Sequence, residues 1–401
     1  MKIAVISAFM FDNSIGGVEN HIRFICKEFL KKGYEITLFK PVWEDNLRED
    51  KVTEIDGMTL KHINIGKKPF DLSRFYGKGT FGYFTAFLNK SLYNYKYKKI
   101  YDEINRYSPD LIWQHDFSSS WLATKKLSNN YKVILTNHTG EYLFFQKYLV
   151  GRLIVKRVLS HYSAIIGPSI ELTPRSYNKK TFTIHNGVDT AVFKKLSDAE
   201  IKSLKEKLIP EHLKDKFIIF CPRRWAPTKG VKYLADAIKV LEEEGETKDL
   251  LFLFAGDKYT GYPLYTKEIE SILSNSNANI IKLGNLDVYE IAKFYQLSDL
   301  VVIPSLMEAV SLSALEAMAC GTPVLSTDVG GLPEIIEQNK TGIMVKPQDA
   351  TGIAKEIITV FNDRDKCAYI SQNAHNQVKD NYTWREIANQ TEDVIKIAIS
   401  I

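Results

Sequence analysis

Short apolar runs rich in β-branched residues alternate along this chain with stretches whose apolar positions recur at helical spacing. Lys2 to Ser7 is the first such run and predicts a strand. Gly16-Gly17-Val18-Glu19-Asn20-His21 then opens a helix carrying Val18, Ile22, Ile25, Cys26 and Phe29 on one face, closed by Lys31-Lys32-Gly33. Tyr34 to Phe39 is the second strand, completing a β-α-β unit. Asp110 to His115 and Val133 to His138 both run apolar and then turn polar, as strands of a parallel sheet do at a ligand-facing edge, and Ala164 to Ser169 and Thr181 to Asp189 are the last strands of this half. The same grammar restarts after a charged helical stretch, Leu196 to Leu213. Lys216 to Pro222 predicts a strand with a helix from Val231, and further strands follow at Leu250 to Ala255, Ile280 to Leu283 and Asp299 to Ile303. The pattern is that of two doubly wound α/β domains. The 401 residues agree, since they exceed what one core usually holds and suit two domains of about 200 each.

Composition narrows the class. Hydrophobic residues at 45% and charged residues at 25% are ordinary for a globular protein. Cys26, Cys221, Cys320 and Cys367 are scattered without C-x-x-C spacing, which favours reduced thiols and a cytoplasmic setting over a disulfide framework or a zinc site. The apolar run Ile3 to Phe11 superficially resembles a signal peptide, but it leads into a Gly-Gly turn and predicts a strand. No run approaches the ~18 continuous apolar residues of a membrane span.

Charge is uneven. Residues 1–190 carry 28 Lys+Arg and 18 Asp+Glu, a balance of +10, against 25 and 30, or −5, in residues 191–401. A basic front half suggests an anionic partner, though chance drift of two solvated surfaces would give the same numbers. Lys67 to Lys99 interleaves aromatics such as Phe70, Phe75, Tyr83 and Tyr95 with lysines, and Tyr142 to Tyr162 sets Leu149, Leu153 and Ile154 among Lys147, Arg152, Lys156 and Arg157. Apolar bodies beside cations suit a lipid headgroup interface, and equally an amphipathic core helix with snorkelling lysines. No nucleic-acid module accompanies them.

The chemistry concentrates in Pro304 to Glu334. Ser311 or Ser313 can cap a helix running to Cys320, stopped by Gly321 and Pro323. Glu308 falls in the loop above the strand end. Glu316 lies in the helix about 40° round from Leu312, beside the apolar stripe of Leu312, Leu315 and Ala319. An acid beside a buried face needs a partner, which a hydroxyl-rich ligand would supply. The backbone N–H groups of Ala309, Val310, Ser311 and Leu312 offer an anion seat between the two acids. Upstream, Arg223-Arg224-Trp225-Ala226-Pro227-Thr228-Lys229-Gly230 follows a strand directly, and its cations suit phosphate oxygens. His115 and His138 close neighbouring strands. Asp363-Arg364-Asp365 spells a D-x-D pattern but sits between helical stretches, where a helix cap is the better reading than a metal site.

Two glutamates separated by seven residues, set in Leu-Glu-Ala-Met-Ala-Cys-Gly-Thr-Pro-Val and followed by Gly-Gly-Leu-Pro-Glu, resemble the E-x(7)-E signature of the retaining glycosyltransferases of family 4. The resemblance extends over essentially the whole chain and is strongest over residues 299–345. It implies the GT-B fold, two Rossmann-like doubly wound parallel-sheet domains facing a cleft. The implied acceptor-side domain is 1–187, the nucleotide-sugar domain 188–378, and 379–401 a helix crossing back to the first. Asn186-Gly187-Val188-Asp189 resembles the family's hinge. Arg224 and Lys229 match its Gly-Arg-x(4)-Lys-Gly loop, with Arg223 where glycine is usual, and Ser311 likewise replaces a glycine.

By the same resemblance, Arg224 and Lys229 stabilise a departing diphosphate, Glu308 holds sugar hydroxyls and Glu316 takes the ribose. Gly256 and Leu286 lie at strand ends that pack on the base. Gly16 and Gly17 face the donor phosphates, Glu19 and His115 the acceptor, and His138 the reacting sugar. The implied activity is metal-independent, retaining transfer of a hexose-type sugar from a nucleotide-diphosphate sugar, of UDP or GDP type, to an acceptor hydroxyl. The acceptor is a glycan, lipid-linked sugar or glycolipid, and the setting the cytoplasm or the cytoplasmic face of an anionic membrane. Neither a cofactor nor nucleic acid is called for. A nucleotide-sugar 2-epimerase of the same fold, or a non-catalytic nucleotide-sugar or membrane-binding scaffold, would carry many of the same features.

Overall fold

A computed structural model describes residues 1–8, 17–44, 50–70, 85, 87–138, 141–178, 180–256 and 261–400. The chain divides into two compact units, Met1–Asn186 with Trp384–Ile401, and Gly187–Thr383. The last helix runs Trp384–Ile399; the preceding helix ends at Asn381 and Tyr382-Thr383 separates the two, so residues 379–381 of the expected C-terminal segment belong to the earlier helix.

In the first unit β1 (Lys2–Ile6) leads to α1 (Gly17–Lys31) and β2 (Glu35–Val42), followed by β3 (Lys51–Ile55) and β4 (Met58–Asn64). Then come α2 (Tyr97–Tyr107), β5 (Leu111–His115), α3 (Trp121–Leu127), β6 (Lys132–Thr136), α4 (Glu141–Phe145), α5 (Leu149–Leu159), β7 (Ala164–Gly167) and β8 (Thr181–Thr183). They form one sheet in the order β3-β4-β2-β1-β5-β6-β7-β8, parallel throughout except for the β3–β4 pair. That hairpin turns at Asp56-Gly57, both at positive φ, the conformation an Asp-Gly turn favours. Helices on both faces explain why β1 and β7 are apolar runs without alternation, and why β5 is buried along its whole length. The C-terminal helix Trp384–Ile399 packs on α1 through a stacked Phe24–Trp384 pair at 5.3 Å and Lys32–Glu392 at 2.8 Å.

The expected headgroup-facing segment Lys67 to Lys99 is only partly described. Within that part Phe87, Tyr93 and Tyr97 pack against the hydrophobic core, so these aromatics serve packing. Residues 71–84, including Phe75 and Tyr83, lie outside the described residues.

The second unit runs α6 (Asp198–Leu208), β9 (Phe217–Pro222), α7 (Val231–Glu243), β10 (Leu250–Ala255), α8 (Pro263–Ser274), β11 (Asn279–Gly284), α9 (Val288–Leu297) and β12 (Leu300–Ile303). It continues with α10 (Leu312–Ala319), β13 (Val324–Thr327), α11 (Leu332–Ile335), β14 (Ile343–Val345), α12 (Ala350–Asn362) and α13 (Arg364–Asn381). Its six parallel strands lie in the order β11-β10-β9-β12-β13-β14. Counted from β9 this is 3-2-1-4-5-6, with the topological switch between β9 and β12. Fully buried Phe220, Phe252, Phe254 and Ile303 fill the centre, each worth about 1.5–3 kcal/mol of apolar burial. Asp363 caps α13, accepting from Lys366 N at 2.9 Å, as expected for a helix cap.

All four cysteines are unpaired, three of them buried. Among the described residues no helix is long and apolar enough to cross a membrane.

Candidate functional site

Ligands of open α/β sheets bind outside the carboxyl ends of the strands at the switch point. In the second unit that place is made by the loops after β9, residues 223–230, and after β12, residues 304–311. Two glycines let these loops and their neighbour press together. Gly230, at φ +65°, lies so close to the Pro304 carbonyl that a Cβ would sit 1.7 Å from its oxygen. Gly330, at φ +56°, meets the Glu308 carbonyl in the same way. Leu306 N and Met307 N donate to Thr228 O at 2.9 and 3.2 Å, stitching the two loops.

Glu308 is buried at the centre of this arrangement, and its described contacts converge on Oε1. Lys229 Nζ donates at 2.8 Å, Ser305 Oγ at 3.0 Å, and the Arg223 guanidinium forms an ion pair with it. Arg223 is itself buried, donating to Ser313 Oγ at 3.0 Å and to Ser305 Oγ at 3.1 Å. Burial, then repulsion from Arg223 and Arg224, pushes the Lys229 ammonium down to about 7. Arg224 is exposed. The resemblance assigns Arg224 to the diphosphate and marks Arg223 as a departure from glycine that adds a further charge. In the structure Arg223 is the arginine that turns into the cluster, while Arg224 faces solvent.

Ser311, not Ser313, caps α10; its Oγ accepts from Ala314 N at 3.4 Å, with extended backbone at φ −85°. A serine where glycine is usual therefore has a physical reason here: it caps the helix, leaving Ser313 for Arg223. Glu316 stands on the second turn, where Tyr295 Oη donates to it at 2.8 Å. Burial raises Glu316 to about 7, with the tyrosine and Arg223 opposing. Gly256 N donates to Gly284 O at 2.7 Å across the ends of β10 and β11, and Leu286 is half-buried in the turn before α9. Neither of these last two contacts the Glu308 cluster through a described hydrogen bond.

In the first unit, His115 ends β5 and His138 lies two residues past β6. His115 Nδ1 and His138 Nε2 are 2.9 Å apart, their rings stacked with centroids at 5.2 Å. A third imidazole, His21 from α1, meets the His138 ring edge-on at 4.6 Å and pairs with Asn186 Oδ1 at 3.0 Å. Burial holds all three below the ordinary imidazole value, His21 at about 4. They are therefore neutral at pH 7. Buried Nε2 atoms of His21 and His115 find no hydrogen-bond partner among the described residues. The ligand atoms of the three lie within 4.8 Å of one another. Tetrahedral zinc needs nitrogens about 3.3 Å apart, so an ion would have to draw the rings in and break the His115–His138 hydrogen bond. His21 was missed in the sequence, where its position beside Ile22 in an amphipathic helix gave no signal. Gly17 opens α1 and Glu19 is buried on it, whereas Gly16 lies outside the described residues.

Two parallel α/β units with loops gathered at the switch points define the GT-B class of fold. Solved structures of that class superpose over the whole chain. Sucrose-phosphate synthase from Thermosynechococcus elongatus matches with a TM-score of 0.75 at 20% identity, covering 100% of this chain and 99% of its own. Anabaena HepE, solved with UDP and glucose, matches at 0.71 and 19% identity, covering 99% of each chain. Residues 204–377 match the family described as Glycosyl transferases group 1, and residues 15–192 match Glycosyltransferase Family 4. The chain belongs to the GT-B glycosyltransferases of the family 4 type.

Among curated proteins, an uncharacterized glycosyltransferase of Methanocaldococcus jannaschii is 33% identical over 55% of this chain and 55% of its own length. N-acetyl-alpha-D-glucosaminyl L-malate synthase of Bacillus anthracis is 28% identical over 54% of each. The chain thus spans about half the length of these curated relatives.

Proposed function

We propose that this protein is a retaining hexosyltransferase that uses a nucleotide-diphosphate sugar and needs no metal. The observation that carries the reading is the Arg223–Lys229–Glu308 cluster at the β9/β12 switch point, beside the Ser311-capped start of α10. Arg224 and Lys229 take the diphosphate, neutralising charge that grows as its bond to the anomeric carbon breaks. The electron pair of that bond leaves with the phosphate oxygen. The acceptor hydroxyl then bonds to the anomeric carbon on the face just vacated, and its proton passes to the departing diphosphate. Glu308 offers its second oxygen to sugar hydroxyls, backbone N–H groups of Ala309 to Leu312 add donors, and Glu316 takes the ribose. His138, neutral and oriented by His115, stands by the reacting sugar.

Support for a UDP-type donor comes from Anabaena HepE, whose structure was solved in complex with UDP-glucose. For the acceptor we propose a lipid-linked sugar or glycolipid at the cytoplasmic face of a membrane, on the strength of the basic first unit.

Thermal-shift measurements against UDP-, GDP- and ADP-sugars test the reading. A fitting donor at a hundred times its Kd stabilises the fold by about 2.7 kcal/mol. Lys229→Ala and Glu308→Ala should nearly abolish transfer while the protein keeps its circular dichroism; full activity in both would sink the site. Conversion of donor to an isomer without acceptor would mark an epimerase instead, and binding without turnover a scaffold.

A further inference from the structure

Within the first unit, α5 buries Gly151, Val155, Val158 and Leu159 and turns a second apolar set outward. Leu149 and Leu153 are 76% and 63% exposed, and Tyr148, Val150 and Ile154 are exposed beside them. Apolar side chains gathered in this way on one helix face mark an interaction surface. The same segment carries Lys147, Arg152, Lys156 and Arg157, and residues 142–162 contain no acid at all. Lys125 of α3 and Arg157 both repel a proton from His161, so the cationic zone continues onto the neighbouring helix.

Directly beneath lies a cavity of ≈ 270 Å³, lined chiefly by Phe87, Phe117, Trp121, Phe145, Ile154 and Val158. The Ser91 hydroxyl also lines it, buried and without a hydrogen-bond partner among the described residues. Ile154 joins the two features, since it lines the cavity and is also exposed on the outer face.

We propose that the cavity and the outer face of α5 form one lipid-binding surface, in which the cavity takes a hydrocarbon chain and the α5 cations meet the phosphates of an anionic leaflet. The proposal rests on the reading that the acceptor is lipid-linked, and it names the element that brings the protein to it. A protein partner fits less well, because a segment with four cations and no acid over residues 142–162 demands a dense array of negative charge. A phospholipid leaflet supplies that array directly above the hydrocarbon the leucines need.

Vesicles test it with the full chain. Phosphatidylcholine vesicles with and without phosphatidylglycerol, their acyl chains brominated, are sedimented with the protein while tryptophan fluorescence is followed. The protein should sediment with phosphatidylglycerol vesicles and not with phosphatidylcholine alone, and bromine should quench its fluorescence. In Leu149→Ser/Leu153→Ser, whose changes are on the surface and leave the fold intact, vesicle affinity should fall by about tenfold or more per leucine, from the apolar burial lost. In Trp121→Phe the protein should still sediment while most of the quenching disappears. Failure to sediment, sedimentation untouched by the two serines, or quenching unchanged in Trp121→Phe would each overturn the proposal. The thermal shift with UDP-sugars is measured without vesicles. It therefore reads the donor site separately, and loss of either result leaves the other standing.

Discussion

Lys229 provides the sharpest test of the donor site through pH. Its ammonium is held at about 7 by burial and by Arg223 and Arg224, while Glu308 accepts its hydrogen bond at 2.8 Å. A lysine lowered this far is protonated below about pH 7 and loses its proton above it. A bound diphosphate would bring two further negative charges and pull the proton back. Donor binding above pH 7 should therefore take up close to one proton, and affinity should fall as pH rises. Between about pH 7 and about pH 9 the cost of recovering the proton approaches two decades, or about 2.7 kcal/mol. That agrees with the ~1.5–3 kcal/mol of a hydrogen bond between charged groups, which is what the diphosphate loses if the lysine stays neutral. Titration calorimetry of UDP, in two buffers of different ionisation enthalpy across this range, reads affinity and proton uptake together. Lys229→Arg keeps its charge at every pH and should flatten the profile. Wild-type affinity that is level from about pH 7 to about pH 9, with no proton uptake, would refute the reasoning.

The neighbouring groups make predictions of their own. Glu316 is raised to about 7, above the ~4.3 of an unfolded chain, so the folded state holds the extra proton between those values and stability falls as pH rises through them. Glu316→Gln should then melt higher than wild type at pH 8, by roughly 1–3 kcal/mol, with no gain at pH 4, and should weaken donor binding; equal melting at pH 8 would contradict this. Arg223→Gly removes a buried guanidinium held by Ser305, Ser313 and Glu308, and should cost roughly 2–4 kcal/mol in urea unfolding. An unchanged midpoint would mean that the buried contacts contribute nothing. Glu308→Ala should lower kcat by about 10²–10³ if the carboxylate acts on the transition state; a change confined to KM would assign it to ground-state binding.

Much of this architecture was legible because parallel strands buried on both faces must be apolar throughout. Phe217–Pro222, Leu250–Ala255 and Leu300–Ile303 advertise themselves, and the loops that follow them contain the site residues. The β3–β4 hairpin went unread, since an edge pair with the mixed burial of Lys51–Ile55 has no continuous apolar signal, although Asp56-Gly57 marks its turn. Which of two adjacent arginines turns inward depends on how the chain leaves β9, and that is fixed by Ser305 and Ser313 some eighty residues away. Tyr295, the partner of Glu316, and His21, the third imidazole, are invisible for the same reason: each is brought in by the packing of a helix against a sheet. Phe87 and Tyr97 are the converse case, where aromatics among lysines suggested a surface and tertiary packing partly buries them against the core.

In the proposed reaction a nucleotide-diphosphate sugar is cleaved at its anomeric carbon and the sugar passed on with retained configuration. Phosphorus and proton NMR of one reaction, run with chelator present and an alkyl glycoside as acceptor, observes both halves. Free nucleoside diphosphate should be released, matched by a product whose new anomeric linkage has the configuration of the donor. Release with inverted configuration, or a donor isomer formed with no diphosphate released, would contradict it.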